Sequence, residues 1–516
     1  MPTDLTTYGP SSAGTLNFLA VGGSGIRTVV PLLHLCAAGL GPRKLHIVMV
    51  DPDVTNPATS NASGLIEQYQ ETRKLVGQHE APHTYFRTDV TSRPVWSPIV
   101  DGTDKVGKSF ADRVDRSLMD SLTSTAGTAD LSTLCDLLFA AKYQRMDLSM
   151  GFRGVPPIGT VFMNRLREET FFKDLLNAAS ADANSVFFAA GSVFGGTGAA
   201  ALPVIGRALV DGLPPTQSRA RIDGVQSQRV GAALLLPFFT LPAGADKAPD
   251  GGPRPQAALF AQNAAAAIPT YVDGMSRYGA LYVLGDDEPR EQRVNAVGGK
   301  LQDNRPDYIE LFAALAALDF ACRGGAGGDR PVFFYTAVDS GKGAQRKSVS
   351  WPDLPLSDAS VLRLKGAFVA AHTFLRLFRP NGNAQPDLSR LLKGVTWVDR
   401  LGMRSRDFDA NAAALDRVGN YFMAMWKWLA ELRTTQPPLE LVRAGAQPLE
   451  VRPGETLDGM RTIGKVNDVF EIMRHWNEAA YSRTGTGQSS LWEVMRTGSE
   501  RFVHSRLADA QGTTEE

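Results

Sequence analysis

Through the first two thirds of the chain, short unbroken apolar runs alternate with longer stretches whose apolar positions recur every three or four residues. The runs at 16–21 (LNFLAV), 44–53 (KLHIVMVDPD), 185–191 (SVFFAAG), 228–239 (QRVGAALLLPFF) and 280–286 (ALYVLGD) are continuous rather than alternating. That is the pattern of strands buried on both faces. Helical spacing predicts helices over 26–39, 166–180, 199–212 and 307–322, with further candidates at 112–127 and 131–146. Strand, glycine turn (22–25, GGSG), helix and strand over 16–53 make a βαβ unit, so the sheet is expected to be parallel. The fold class predicted is α/β: a doubly wound, mainly parallel sheet with helices on both faces. After the glycine-rich stretch 322–330 come one strand (331–338) and apolar-faced helices at 361–378 and 421–432, read as a smaller, mixed, helix-rich C-terminal domain. The organisation expected is a flexible tail 1–15, a first domain 16–305, a core helix 306–322, a C-terminal domain 323–505 and a tail 506–516. The segment 151–160 (GFRGVPPIGT) reads as a loop, and 241–256 as an exposed insertion.

Composition narrows the function classes. The 516 residues are 43% hydrophobic and 21% charged, as in ordinary globular proteins. Lys+Arg and Asp+Glu are both 54, a balance that argues against a nucleic-acid or anionic-membrane coat. Cys36, Cys135 and Cys322 lie far apart without metal-ligand spacing, and the 7 histidines form no HExxH. No metal site held by protein ligands is expected. The N-terminus lacks a basic-then-apolar leader, and no apolar run approaches the ~18 residues of a spanning helix. A cytoplasmic protein with no membrane span is expected.

The chemistry concentrates in two glycine loops, each after a strand and before a helix. One is Gly22-Gly23-Ser24-Gly25, followed by Arg27; the other is Gly195-Gly196-Thr197-Gly198. Helix N-termini carry unpaired N–H groups and the positive end of the dipole, so they attract phosphate. Glycine lets the backbone approach closely, and successive N–H groups form an anion nest. Ser24 and Thr197 can each add a hydroxyl. Two such loops at the same end of one parallel sheet could grip a polyphosphate from both sides. Neither the G-x-x-x-x-G-K-S/T loop nor a complete G-x-G-x-x-G fingerprint is present. Asp51 and Asp53, at the end of the second strand, suit a ribose hydroxyl or a water-mediated Mg²⁺, or a turn cap. Arg27 suits a phosphate clamp or a surface ion pair, and Arg153 a phosphate contact or a solvated loop side chain.

The stretch 189–209 (AAGSVFGGTGAAALPVIGRAL) resembles the signature loop of the tubulin/FtsZ family, a G-G-G-T-G-S/T-G run followed in FtsZ-like members by A-A-P-V-I-A. Gly195, Gly196, Thr197 and Gly198 match; Phe194, Ala199 and Ala200 depart. In order along 16–322, LAVGGSGIRTVV, IVMVDPD, GFRGVPPIG, VGAALLLPFF and DNRPDYIELFAALA are similar to that family's further loops and core helix. The resemblance implies a GTP/GDP-binding domain over 16–305, with Mg²⁺ held through the phosphates and Gly154 in the loop over the γ-phosphate. It makes Asn304, Asp307 and Tyr308 base contacts. It also implies head-to-tail self-association, with GTP hydrolysis completed by a neighbouring subunit. The family's catalytic N-x-D-F-A-D is not found. Asp319 in LDFA falls inside the core helix, so the catalytic residues are unknown.

Residues 21–63 also resemble the ThiF/E1-like adenylating family, through Asp51, Asp53, Asn56 and Asn61. The Arg expected after Asn61, the catalytic cysteine and the CxxC pairs are absent. Three readings stay open: a tubulin/FtsZ-like GTP-binding protein, an ATP-dependent adenylyltransferase, and a nucleotide-binding scaffold without turnover that recruits protein partners through its C-terminal part.

Overall fold

A computed structural model of the protein describes residues 2–8, 12–76, 85–99, 137–215, 220–242, 248, 252–286, 289–292, 296, 298–302, 304–327, 332–334, 348–378, 405–435, 437–442, 474–476, 478–480 and 488–512. The strands are β1 (Thr15–Val21), β2 (Lys44–Val50), β3 (Asp89–Ser92), β4 (Ser185–Ser192), β5 (Val230–Leu235), β6 (Phe239–Thr240), β7 (Ala280–Leu284), β8 (Arg290–Glu291) and β9 (Val332–Phe334). Seven form one parallel sheet in the order β3-β2-β1-β4-β5-β7-β9, and β6 pairs with β8 separately. The central strand β4 is buried along its whole length, as its unbroken apolar run requires. Pro237, which has no N–H to give, separates β5 from β6 where one strand over 228–239 was expected.

The helices used below are α1 (Gly22–Arg27), α2 (Val29–Ala37), α3 (Pro57–Val76), α4 (Pro156–Met163), α5 (Thr170–Ala181), α6 (Gly196–Asp211), α7 (Phe260–Val272), α8 (Tyr308–Arg323), α9 (Asp358–Phe378), α10 (Ala412–Leu432) and α11 (Gln488–Gly512). From β1 the chain steps through β2 to β3 in one direction; from β4 it steps through β5 to β7 in the other. Right-handed crossovers then put α2 and α3 on one face and α6 and α7 on the opposite face. The packing agrees: α2 touches α3 and α8, whereas α6 touches α4 and α7. The chain is thus doubly wound about the β1–β4 junction. The core helix α8 starts at a reciprocal Asp307/Glu310 capping box and stops at left-handed Gly324.

Several local expectations change. Residues 22–25 are the first turn of α1 rather than a free turn. The loop 151–160 ends at Val155, because Pro156 and Pro157 start α4. Residues 112–127 and 131–136, with Cys135, lie outside the described residues; the described remainder of the helix expected over 131–146 holds a short helix at Ala141–Gln144.

Residues 2–8 and 12–15 are docked rather than loose. Leu5 is buried, its N–H donates to Ser360 Oγ (2.8 Å), and Ala13 N–H donates to the Ala321 carbonyl (2.8 Å). At the other end α11 runs to Gly512, past the expected tail boundary. The helices after α8 share their apolar core with the first βαβ unit, so no break in packing marks residue 322. Tyr421 of α10 sits among Tyr69, Phe86 and His34, and its hydroxyl donates to the Leu33 carbonyl (3.1 Å). Met425, Trp426 and Trp428 are buried packing residues. Tyr421→Ala is expected to lower the unfolding free energy by about 3–5 kcal/mol. Because the core is shared, far-UV circular dichroism and tryptophan fluorescence should still follow one transition; two separated transitions would contradict a common core.

Candidate functional site

Adjacent parallel strands whose connections leave in opposite directions open a crevice at their carboxyl ends. Here those strands are β1 and β4, and the two glycine loops are what follow them. The result is a cleft, partly open to solvent, with about 850 Å³ between its walls when the open mouth is counted. Its floor is Gly22, Gly23 and Ser24 on one side and Gly195, Gly196, Thr197 and Gly198 on the other. The loops nearly touch: a Cβ on Gly22 would lie 3.2 Å from Thr197 Cβ, and Gly22 itself has φ +68°. A Cβ on Gly198 would lie 2.2 Å from the Ser192 carbonyl oxygen. Only glycine lets α6 begin so close to the end of β4. The first N–H groups of α6 have no partner within the helix, and its first turn lines the cleft. The hydroxyls of Ser24, Ser192 and Thr197 line it too, and each lacks a hydrogen bond within the chain.

Arg27 lines the cleft and is buried, bound through Nε to the equally buried Glu310 of α8. The surface ion pair considered for it is thus a buried one, and Nη2 keeps no partner. Asp51 and Asp53 both line the cleft, with different tasks. Asp53 accepts from Thr55 N–H (3.1 Å), Thr55 Oγ1 (2.9 Å) and Gly299 N–H (2.6 Å). It ties the loop after β2 to the segment before α8, which is the turn-capping role. Asp51 accepts from Asp53 N–H (3.1 Å) through Oδ1 only. Burial pushes the Asp51 carboxyl up to about 8, with the neighbouring Asp53 charge adding to the rise and its hydrogen bond opposing it. At neutral pH it is mainly protonated and can donate.

The remaining assignments divide. Gly154 and Asn304 line the cleft. Gly25 does not; a Cβ there would meet the Ala190 carbonyl at 2.1 Å, so it serves packing of α1 on β4. Asp307 caps α8, accepting from Ile309 N–H (3.0 Å), and the Tyr308 hydroxyl bonds Asp286. Neither belongs to the cleft lining. Asn61 is exposed on α3. Asp319 is held by the Tyr282 hydroxyl (2.6 Å) and Arg323 Nε (2.8 Å).

Four lining groups escaped or were undervalued in the sequence reading. Arg153 is buried, not solvated, at φ +48°, and its Nη2 donates to the Asp147 carbonyl (3.1 Å). Gln302 lines the cleft, bridged by Asn56 Nδ2 to its Oε1 (2.7 Å). Ser192 closes the β4 end. Phe194, Phe239 and Phe260 pack together as an apolar wall. Only the run of phenylalanines at 238–239 could have hinted at that wall. Among the described residues no His, Cys, Asp and Glu cluster could hold a metal ion, and no helix is long and apolar enough to cross a membrane.

Comparison with protein-family models returns no match, and comparison with curated proteins returns none either.

The Asp51 pKa sets a pH dependence. Its folded-state value, about 8, lies above the ordinary carboxylate value of 3.8. Both states are protonated below about pH 4 and both ionised above about pH 8, so the penalty accrues between them. Asp51→Asn should therefore gain stability relative to the parent as pH rises from 4 to 8, by up to about 1.4 kcal/mol per unit, and then level off. Denaturant unfolding at stepped pH measures this. A difference that is flat across that window would mean Asp51 is ionised in the folded protein.

Proposed function

We propose that the cleft binds the phosphates of a purine nucleotide, and that the protein is a tubulin/FtsZ-like GTP-binding protein. The observation that carries the binding reading is the meeting of two glycine loops at the β1–β4 crevice, with three unpartnered hydroxyls and the first turn of α6 around one space. Donors gathered in this way around one space suit an oxyanion chain. Arg27 adds a buried positive charge beside Gly23. Mg²⁺ would be carried by the phosphates, with Asp51 the nearest residue of the loop able to receive it or its waters. The GTP assignment and head-to-tail assembly rest on the likeness of 189–209 to the tubulin/FtsZ signature.

Binding is favoured over turnover by the single chain. Asp319, the only acid in an LDFA sequence, is occupied by Tyr282 and Arg323 and lies near the far end of α8 from Asp307. The adenylating reading is weakened by the exposure of Asn61 on α3.

Calorimetric titration with GTP and with ATP, each with Mg²⁺, tests the reading. GTP binding is expected, about tenfold weaker in Thr197→Ala for the loss of one hydrogen bond to a charged group, and abolished in Gly198→Val. ATP binding that survives Thr197→Ala but fails in Asp51→Ala would favour the adenylating alternative. Failure of both nucleotides to bind the parent protein would end the proposal. Negative-stain microscopy with and without GTP tests the assembly part separately.

A further inference from the structure

Beyond the cleft floor, the head of α8 gathers buried donors that have no partner among the described residues. Arg290 lies on β8 and is 6% exposed; its Nη2 donates to the Pro306 carbonyl (3.2 Å), but Nε and Nη1 have no partner. Gln292 is 2% exposed; its Oε1 accepts from Arg305 N–H (3.1 Å), and Nε2 has no partner. The backbone donor fixes which end of this amide is oxygen, so the unpaired end is a donor. Arg305 Nε and Arg27 Nη2 are likewise buried and unpaired.

These groups share one neighbourhood: Arg290 feels the charges of Asp307, Arg305, Glu310 and Arg27. The two acids there are already engaged. Glu310 accepts from Arg27 Nε and from Asp307 N–H (3.2 Å), and Asp307 accepts from Ile309 N–H. Neither forms an ion pair with Arg290 or Arg305. Among the described residues here the unpaired atoms are all donors: Arg290 Nε and Nη1, Gln292 Nε2, Arg305 Nε and Arg27 Nη2. A buried donor is costly to leave unmade. Water could fill such a space, but water must also donate, and these unpaired atoms offer it no acceptor. An acceptor-rich anion answers this donor surplus.

We propose that the head of α8 is an oxyanion-binding site, formed by Arg290, Gln292 and Arg305 with the free edge of Arg27, which takes a phosphate group. The site does not depend on the nucleotide reading. Its source is either the phosphate chain of a ligand in the cleft, which shares Arg27, or a separate anion.

The test is thermal unfolding of the full chain against inorganic phosphate at constant ionic strength. Phosphate is expected to raise the midpoint by about 1–2 °C at tenfold its dissociation constant. The rise should be equal in the parent and Thr197→Ala and absent in Arg290→Met. Gln292→Glu keeps an oxygen for Arg305 N–H and supplies a resident anion; it should melt higher without phosphate and ignore its addition. That variant carries the test if Arg290→Met does not fold. No response in the parent protein would overturn the proposal. So would a response lost in Thr197→Ala but kept in Arg290→Met, because phosphate would then sit on α6. Where GTP binds, abolition of the phosphate response by saturating GTP assigns the site to the ligand's own phosphates, and an additive response assigns it to a second anion. If GTP does not bind, the proposed function fails while the Arg290-dependent response still stands.

Discussion

The structure depends first on the reversal of winding between β1 and β4. Each strand–helix–strand connection is held to one hand by the twist of the backbone. A chain that steps outward in both directions from a central pair must therefore send its helices to opposite faces. The two central strands then end without a helix crossing over them. That gap is where the loops Gly22–Ser24 and Gly195–Gly198 meet. The cleft is thus a consequence of topology, and the glycines decide only how narrow it is. Side chains at Gly25 or Gly198 would collide with backbone of β4 at 2.1–2.2 Å, so the same residues serve the packing of the sheet and the floor of the site.

The second constraint is the buried pair Arg27–Glu310. It joins the helix after the first glycine loop to the first turn of α8, across more than half the chain. A buried ion pair adds little net stability against an apolar replacement, whereas removing one partner costs about 3–5 kcal/mol. Its effect is positional: the register of α8 against α1 is set by it and by the Asp307/Glu310 capping box. Asp53 makes a similar link from the loop after β2 to Gly299. Through these two links, both segments leading toward α8 are referred to the cleft floor.

Much of this frame was legible in the sequence. Unbroken apolar runs marked β1, β2, β4, β5 and β7, because a strand covered on both faces cannot alternate. The two loops were legible because glycine between strand and helix has few other uses. Side-chain partnerships were not. Asp307 and Tyr308 stand beside the cleft in sequence, but a helix start needs a cap, and Asp307 is consumed by it. Gln302 and Arg290 carry no motif, since their surroundings come from segments more than 200 residues apart or from a short β6–β8 pairing that no periodicity announces. The boundary at 322 failed for a related reason. A glycine-rich stretch marks a change of direction, while a domain boundary requires that few contacts cross it, and Tyr421 crosses it into the first βαβ unit.

Several residues around the crevice carry a local cost in free energy. Arg153 keeps a left-handed backbone, a conformation that costs a non-glycine residue about 1–2 kcal/mol. Asp51 is protonated at neutral pH at the expense of its ordinary acidity. Unpaired donors at Arg27 and Arg290 each forgo roughly 1–3 kcal/mol. These costs lie on separate elements, yet all border the same crevice or the head of α8 next to it. On the proposed reading, strain and unmet polarity at this crevice are the cost of preorganisation: donors fixed in advance leave little ordering to be done on binding. On that reading, the stability given up there is what a phosphate-bearing ligand would restore, which would link binding and folding stability through the same few side chains.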